Sequence, residues 1–115
     1  MSGELEQPDP EDIDLPTVLA ALADPYRLAC VWNLARHGET SCHYLHELTG
    51  IESSKSTTSH HFRVLREAGV ISTRVSGVKR YSALRRADLE ARFPGLLDAV
   101  LASASVDSRQ KGIRS

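Results

Sequence analysis

Two groups of residues carry side chains that could do chemistry. The first is the run 54–69, SKSTTSHHFRVLREAG, in which Lys55, Ser56, Thr57, Thr58, Ser59, His60 and His61 follow one another without an apolar residue. Short hydroxyls, imidazoles and a leading lysine are donors on short arms, suited to close approach to phosphates and base edges. Ser and Thr are mediocre helix formers because their hydroxyls compete for the backbone. A merely solvated helix face is made more cheaply from Glu, Lys and Gln. The second group is Cys42, His43 and His46, with His37 nearby. Cys42 and His46 are four apart, hence on one helix face, and thiolate with imidazole suits zinc or copper(I). The ordinary alternative is an exposed polar helix surface, and the expectation is no metal and no cofactor. His60 and His61 are adjacent, so on a helix they diverge; DNA contact or packing is expected of them.

Catalysis is not expected. Ser59, His60, Cys42 and several aspartates supply the residue types, but no Gly-rich phosphate loop, nucleophile elbow or HExxH pattern occurs in the sequence. The 115 residues suit one small domain. Two sparse cysteines, with no signal peptide and no long apolar run, point to a reducing, cytoplasmic setting away from membranes. The formal net charge of −1 conceals a segregation. Residues 1–24 hold Glu4, Glu6, Asp9, Glu11, Asp12, Asp14 and Asp24 with no Lys or Arg. Residues 55–86 hold Lys55, Arg63, Arg66, Arg74, Lys79, Arg80, Arg85 and Arg86 against Glu67 alone. A block that positive is the electrostatic footprint of a polyanion partner.

The elements that position these residues follow from periodicity and punctuation. Residues 1–14, acidic and carrying Pro8 and Pro10, read as a disordered arm. Residues 15–23 read as a short helix with the stripe Leu15, Val18, Leu19 and Leu22. Asp24-Pro25 is an N-cap followed by an N1 proline, and starts a helix to about residue 36 with Leu28, Val31, Trp32 and Ala35 on its face. Cys30 beside that face reads as a small core hydrophobe. Residues 40–49 read as a third helix capped by Thr40 or Ser41, anchored by Leu45 and Leu48 and closed by Gly50. After a short turn, Ser54 caps the reading helix, Phe62, Leu65 and Ala68 recur at steps of three, and Gly69 ends it. A short turn between two helices, the second polar at its start, matches a helix-turn-helix. Residues 70–75 and 78–84, joined by Ser76-Gly77, read as a hairpin presenting Arg74, Lys79 and Arg80, a basic wing beside the reading helix. Residues 85–103 are helical again, broken near Pro94-Gly95, with Leu89, Phe93, Leu96, Leu97, Val100 and Leu101 as a stripe. An apolar helix beyond an already supplied core suggests subunit contact. Residues 104–115 read as a flexible tail.

This order of elements, with the words ALADPYRL and STTSHHFRVLREAGVI and the basic hairpin, resembles the ArsR/SmtB-type winged-helix transcriptional regulators over residues 15–101. The resemblance implies a mainly α fold with a β-hairpin wing, forming a winged helix-turn-helix domain over residues 15–103 that dimerises through its terminal helices. It implies DNA contact by the positions of Lys55, Ser56, Ser59 and His60, and backbone contact by the wing tip. The set expected at DNA is Lys55, Ser56, Thr57, Ser59, His60, Arg63, Arg74, Lys79 and Arg80. The set expected at a homodimer seam is Leu15, Val18, Leu19, Leu96, Leu97, Val100 and Leu101. Two departures point to a member that does not sense metal. The Cys-x-Cys position of metal-sensing relatives is Ser41 and His43 here, and no His follows His61 to ligate from the last helix. The expected function is a homodimeric repressor on double-stranded DNA at a near-palindromic operator, its inducer unidentified. The alternative is a winged-helix module that binds protein or RNA.

Overall fold

The computed structural model describes residues 2–112, and side chains from residue 5 to residue 105. A strand β1 (Ser2–Glu4) and a 3-10 turn (Pro10–Asp12) lead into helices α1 (Leu15–Leu22) and α2 (Pro25–His37). Strand β2 (Thr40–Ser41) precedes helix α3 (Cys42–Thr49) and helix α4 (Lys55–Glu67). The hairpin β3 (Ile71–Ser76) and β4 (Lys79–Leu84) follows, then helices α5 (Arg86–Arg92) and α6 (Leu96–Gly112).

The starts of α1 to α4 obey the capping logic of their sequence. Asp14 accepts from the Thr17 amide at 3.1 Å, and Asp24 from the Tyr26 and Arg27 amides at 2.8 and 3.1 Å. Ser41 and Ser54 do the same for α3 and α4, each at 3.2 Å. Each bond satisfies a first-turn amide that has no partner within its helix. One core receives α1 to α4 and β3: Val18, Val31, Leu45, Leu65, Val70 and Ile71 are at most 1% exposed. The buried side of α2 is Tyr26, Cys30, Val31 and Leu34; Leu28, Trp32 and Ala35 are only half-buried, so the helix is rotated from the face that its apolar spacing suggests.

The sheet holds four strands in the order β1-β3-β4-β2, all antiparallel. Both outer strands correct the sequence reading. Thr40 and Ser41 pair with Ser82 and Tyr81 instead of opening α3, and Ser41 serves as the cap. Residues 1–14 read as disordered in the sequence, yet Ser2–Glu4 pairs with Arg74–Ser76, and the Leu5 amide donates to the Thr73 carbonyl at 2.9 Å. The pairing uses backbone groups and so leaves no pattern in the side chains. The arm is then pinned by Ile13, which is 1% exposed. Arg92 donates to the Ile13 carbonyl at 2.6 Å, and Arg85 to the Pro8 carbonyl at 2.7 Å. The hairpin register, Ser76 opposite Lys79, puts the turn at Gly77-Val78, one residue later than expected. Gly77 has φ +64°, and among the described residues none other than glycine has positive φ, which fits a II′ turn with glycine first. Helix α6 continues to Gly112 through most of the stretch expected as a tail; residues 113–115 lie outside the described ones.

Candidate nucleic-acid interface

Helix α4 is amphipathic in the sense a reading helix requires. Phe62 and Leu65 are buried, which holds the opposite face outward: Lys55, Ser56, Thr57, Ser59, His60 and Arg63 are all exposed. Thr57 is partly engaged in the cap, its Oγ1 accepting from the Ser54 hydroxyl at 2.9 Å.

A polar bracket behind α4 fixes its roll. The Tyr26 ring stacks on His61 at 4.8 Å between centroids, and the Tyr26 hydroxyl shares a 2.6 Å hydrogen bond with His46 Nδ1, joining α2, α3 and α4. Burial pushes the Tyr26 phenol up to about 12, with Cys30 adding to the effect, so it stays protonated. Arg27 spends its guanidinium on the Ala21 carbonyl at 2.7 Å and on His61 Nδ1 at 3.0 Å. Arginine can only donate, so His61 Nδ1 accepts and its proton sits on Nε2. Burial holds His61 below the usual imidazole range, opposed by Asp24 and assisted by Arg27 and His60. Of the two adjacent histidines, His60 thus faces outward and His61 packs.

In the hairpin, Lys79 and Arg80 are exposed and Val78 at the tip is fully so. Arg74 differs from the expectation of a free cation. Its guanidinium grips Glu39 through Nε at 2.8 Å and Nη2 at 2.9 Å, and lies 4.7 Å over the Tyr81 ring. Arg85 is held by Asp88, and Arg86 by Asp98. Among the described residues, the cations of the 55–86 block without a carboxylate partner are Lys55, Arg63, Arg66, Lys79 and Arg80. All five lie on α4 or β4.

The remaining candidates are structural or dispersed. Cys30 is buried and its thiol is pushed up to about 12 by burial, then by Cys42 and Asp24. Burial also raises Cys42, against a 3.4 Å contact with the Ser82 hydroxyl. His46 Nδ1 is taken by Tyr26, and His43 lies 3.6 Å from Glu47. Among the described residues no three His, Cys, Asp or Glu side chains gather as a metal would need. Of the residues expected at a dimer seam, Val18 and Leu97 face the protomer's own core at 1% and 3% exposure, and so offer no surface. Leu15 and Leu19 are exposed, while Leu96, Val100 and Leu101 are half-buried against the core.

Comparison with known proteins agrees with this geometry. A model of a helix-turn-helix domain matches residues 22–74. The HTH-type transcriptional regulator YceK of Bacillus subtilis (strain 168) is 37% identical over 84 residues, covering 72% of this chain and 82% of that protein. The chain belongs to the ArsR-type winged helix-turn-helix transcriptional regulators. The crystal structure of the transcriptional repressor BigR from Xylella fastidiosa superposes on this regulator with a TM-score of 0.60 at 31% identity, over 76% of this chain and 82% of that one. An ArsR family regulator with a TM-score of 0.60 at 23% identity, covering 87% and 96%, shares the fold. The family consists of DNA-binding regulators, not enzymes. No helix among the described residues is long and apolar enough to cross a membrane.

Proposed function

We propose that this regulator is a repressor, acting in the cytoplasm as a homodimer on a near-palindromic operator in double-stranded DNA. The observation that carries the reading is the convergence of Lys55, Arg63, Lys79 and Arg80, none ion-paired among the described residues, on one reading helix and its hairpin. Cations on the hairpin would hold phosphates, and Ser56, Ser59 and His60 would meet base edges. BigR, a neighbour named as a transcriptional repressor, supports the sign of regulation. The test is the salt dependence of binding to the DNA upstream of the regulator's own gene. With about six phosphate contacts per dimer, log K against log salt has a slope near −5. Arg80→Ala lowers that slope for every sequence by about one for each phosphate no longer held, whereas Ser59→Ala narrows the gap between operator and random DNA by about 1–3 kcal/mol per base contact. A wild-type slope shallower than about −2 would place the contact surface elsewhere.

A further inference from the structure

A cleft with a volume of ≈ 560 Å³ lies between α3, α4 and the hairpin. That is the size of sites for small ligands, which run from about 300 to 1,000 Å³. Lys55, Arg63, Arg66 and Arg80 line it, and among the described residues no carboxylate does. Phe62 supplies an apolar wall, and Thr58 and Thr73 line it as well.

Arg66 is the exception among the arginines that the fold encloses. Arg27 and Arg85 each donate to a carbonyl of the chain, and Arg85 also has Asp88. Among the described residues, Arg66 Nε is the buried side-chain polar atom with no hydrogen-bond partner. A buried donor left unpaired costs the desolvation of that group, more when it is charged. The guanidinium edge matches a carboxylate or phosphate with two parallel donors. An oxyanion drawn against that edge satisfies Nε and one terminal nitrogen together. A duplex phosphate, carrying a sugar on either side, is a poor fit to an atom already beneath the surface; a free small anion is not so restricted.

We propose that this cleft is the effector site of the regulator, that its ligand is a small organic anion bearing a carboxylate or phosphate monoester on an apolar body, and that Arg66 anchors it. The apolar body packs on Phe62. Arg63 and Arg80 line the same cleft, so a bound anion neutralises cations assigned above to DNA, and ligand and DNA each weaken the binding of the other. The release half rests on the DNA-binding reading; the binding half does not.

The experiment is a titration of the full-length protein with phenyl phosphate and with benzoate, observing the arginine Nε–H resonances, with sodium chloride as control. Either probe should shift the Arg66 resonance saturably, and Arg66→Gln should abolish the saturable binding while the melting temperature in anion-free buffer is kept. Absence of a saturable shift with both probes overturns the proposal, and so does tight binding that survives in Arg66→Gln. Should Arg66→Gln fail to fold, Arg66→Lys, which keeps the charge but not the fork, takes its place and should weaken the probes. In the DNA arm, a saturating probe should lower wild-type affinity for DNA by about tenfold, and DNA should lower probe affinity by the same factor. If Arg66→Gln alone weakens DNA binding by about tenfold and reduces the salt slope by about one, Arg66 holds a DNA phosphate and the effector site is refuted.

Discussion

Arg74 and Arg80 sit in neighbouring strands and read alike in the sequence, but their surroundings separate them. Glu39, 35 residues away, presents both carboxylate oxygens to Arg74, and the hydrogen bond holds that carboxyl below its usual range. The Arg74 charge is therefore matched before DNA arrives. Glu39→Gln should release it, raising affinity for DNA of any sequence and steepening the salt slope by about one per protomer. Arg74→Ala in the wild type should cost far less than Arg80→Ala. Binding and slope unaltered by Glu39→Gln would show that Arg74 lies off the DNA path. His60 and His61 make the same point: adjacency said that they diverge, but not which one packs. His61 protonates less readily folded than unfolded, mainly through burial, with Asp24 opposing and Arg27 and His60 assisting. Its contribution to stability is thus complete above its ordinary value of 6.5 and is lost as the pH falls through the lower, folded value. Denaturation midpoints should decline below about pH 6.5, and His61→Gln should flatten that decline. An equally steep decline in the variant would assign it to other groups.

At the scale of elements, the reading helix is tied to the arm at its far end. Gly69 follows α4 with φ +85°, and a Cβ there would meet Ile13 Cγ1 at 2.5 Å. Gly69→Ala therefore carries backbone strain of about 1–3 kcal/mol and displaces a fully buried side chain. Ile13→Ala opens a cavity costing about 2–5 kcal/mol. The two costs share one contact, so urea denaturation of the double variant should show a loss smaller than the sum of the single losses. Strict additivity would mean that the strain at Gly69, and not Ile13, sets the cost. The helices were legible because caps and periodicity are local: Asp24-Pro25, Ser54 and Gly69 mark real boundaries. The arm was not legible because its strand joins the hairpin through backbone groups, and because one isolated Ile13 makes no period. The rotation of α2 escaped for a related reason. Tyr26 is held by His46 and His61, partners 20 and 35 positions along the chain, which outweigh the apolar spacing of Leu28 and Trp32.

The whole molecule divides its surface by charge and by polarity. Among the described residues, the cations of the 55–86 block without a carboxylate partner gather on α4 and β4, whereas of the exposed large apolar side chains Leu15 and Leu19 lie together on α1, apart from Tyr44, Ile51 and Val78. Leu15 and Leu19 are 39% and 43% exposed, and Leu19 also lines a groove of ≈ 390 Å³ with Val100, Ala99 and Leu28 between α1, α2 and α6. One reading helix touches only a few base pairs, too little for specificity in a genome. Two helices related by a two-fold axis read half-sites about 34 Å apart, so the operator-binding species is expected to be a dimer. The variant that tests the seam must spare the core. Val18 and Leu97 are buried within the protomer, and an acidic residue at either would unfold it instead of separating it. Leu15→Glu with Leu19→Glu changes only exposed positions, and the two-fold axis brings four carboxylates to one seam. Each leucine buried there contributes roughly 2 kcal/mol, against an association cost of about 4 kcal/mol or more. The double variant should keep its circular dichroism and melt as a folded protomer. It should scatter light as a monomer and lose operator affinity, while the slope for random DNA per protomer stays. A dimer of unchanged mass would move the seam off α1, and a wild-type monomer that binds its operator tightly would end the case for two-fold reading.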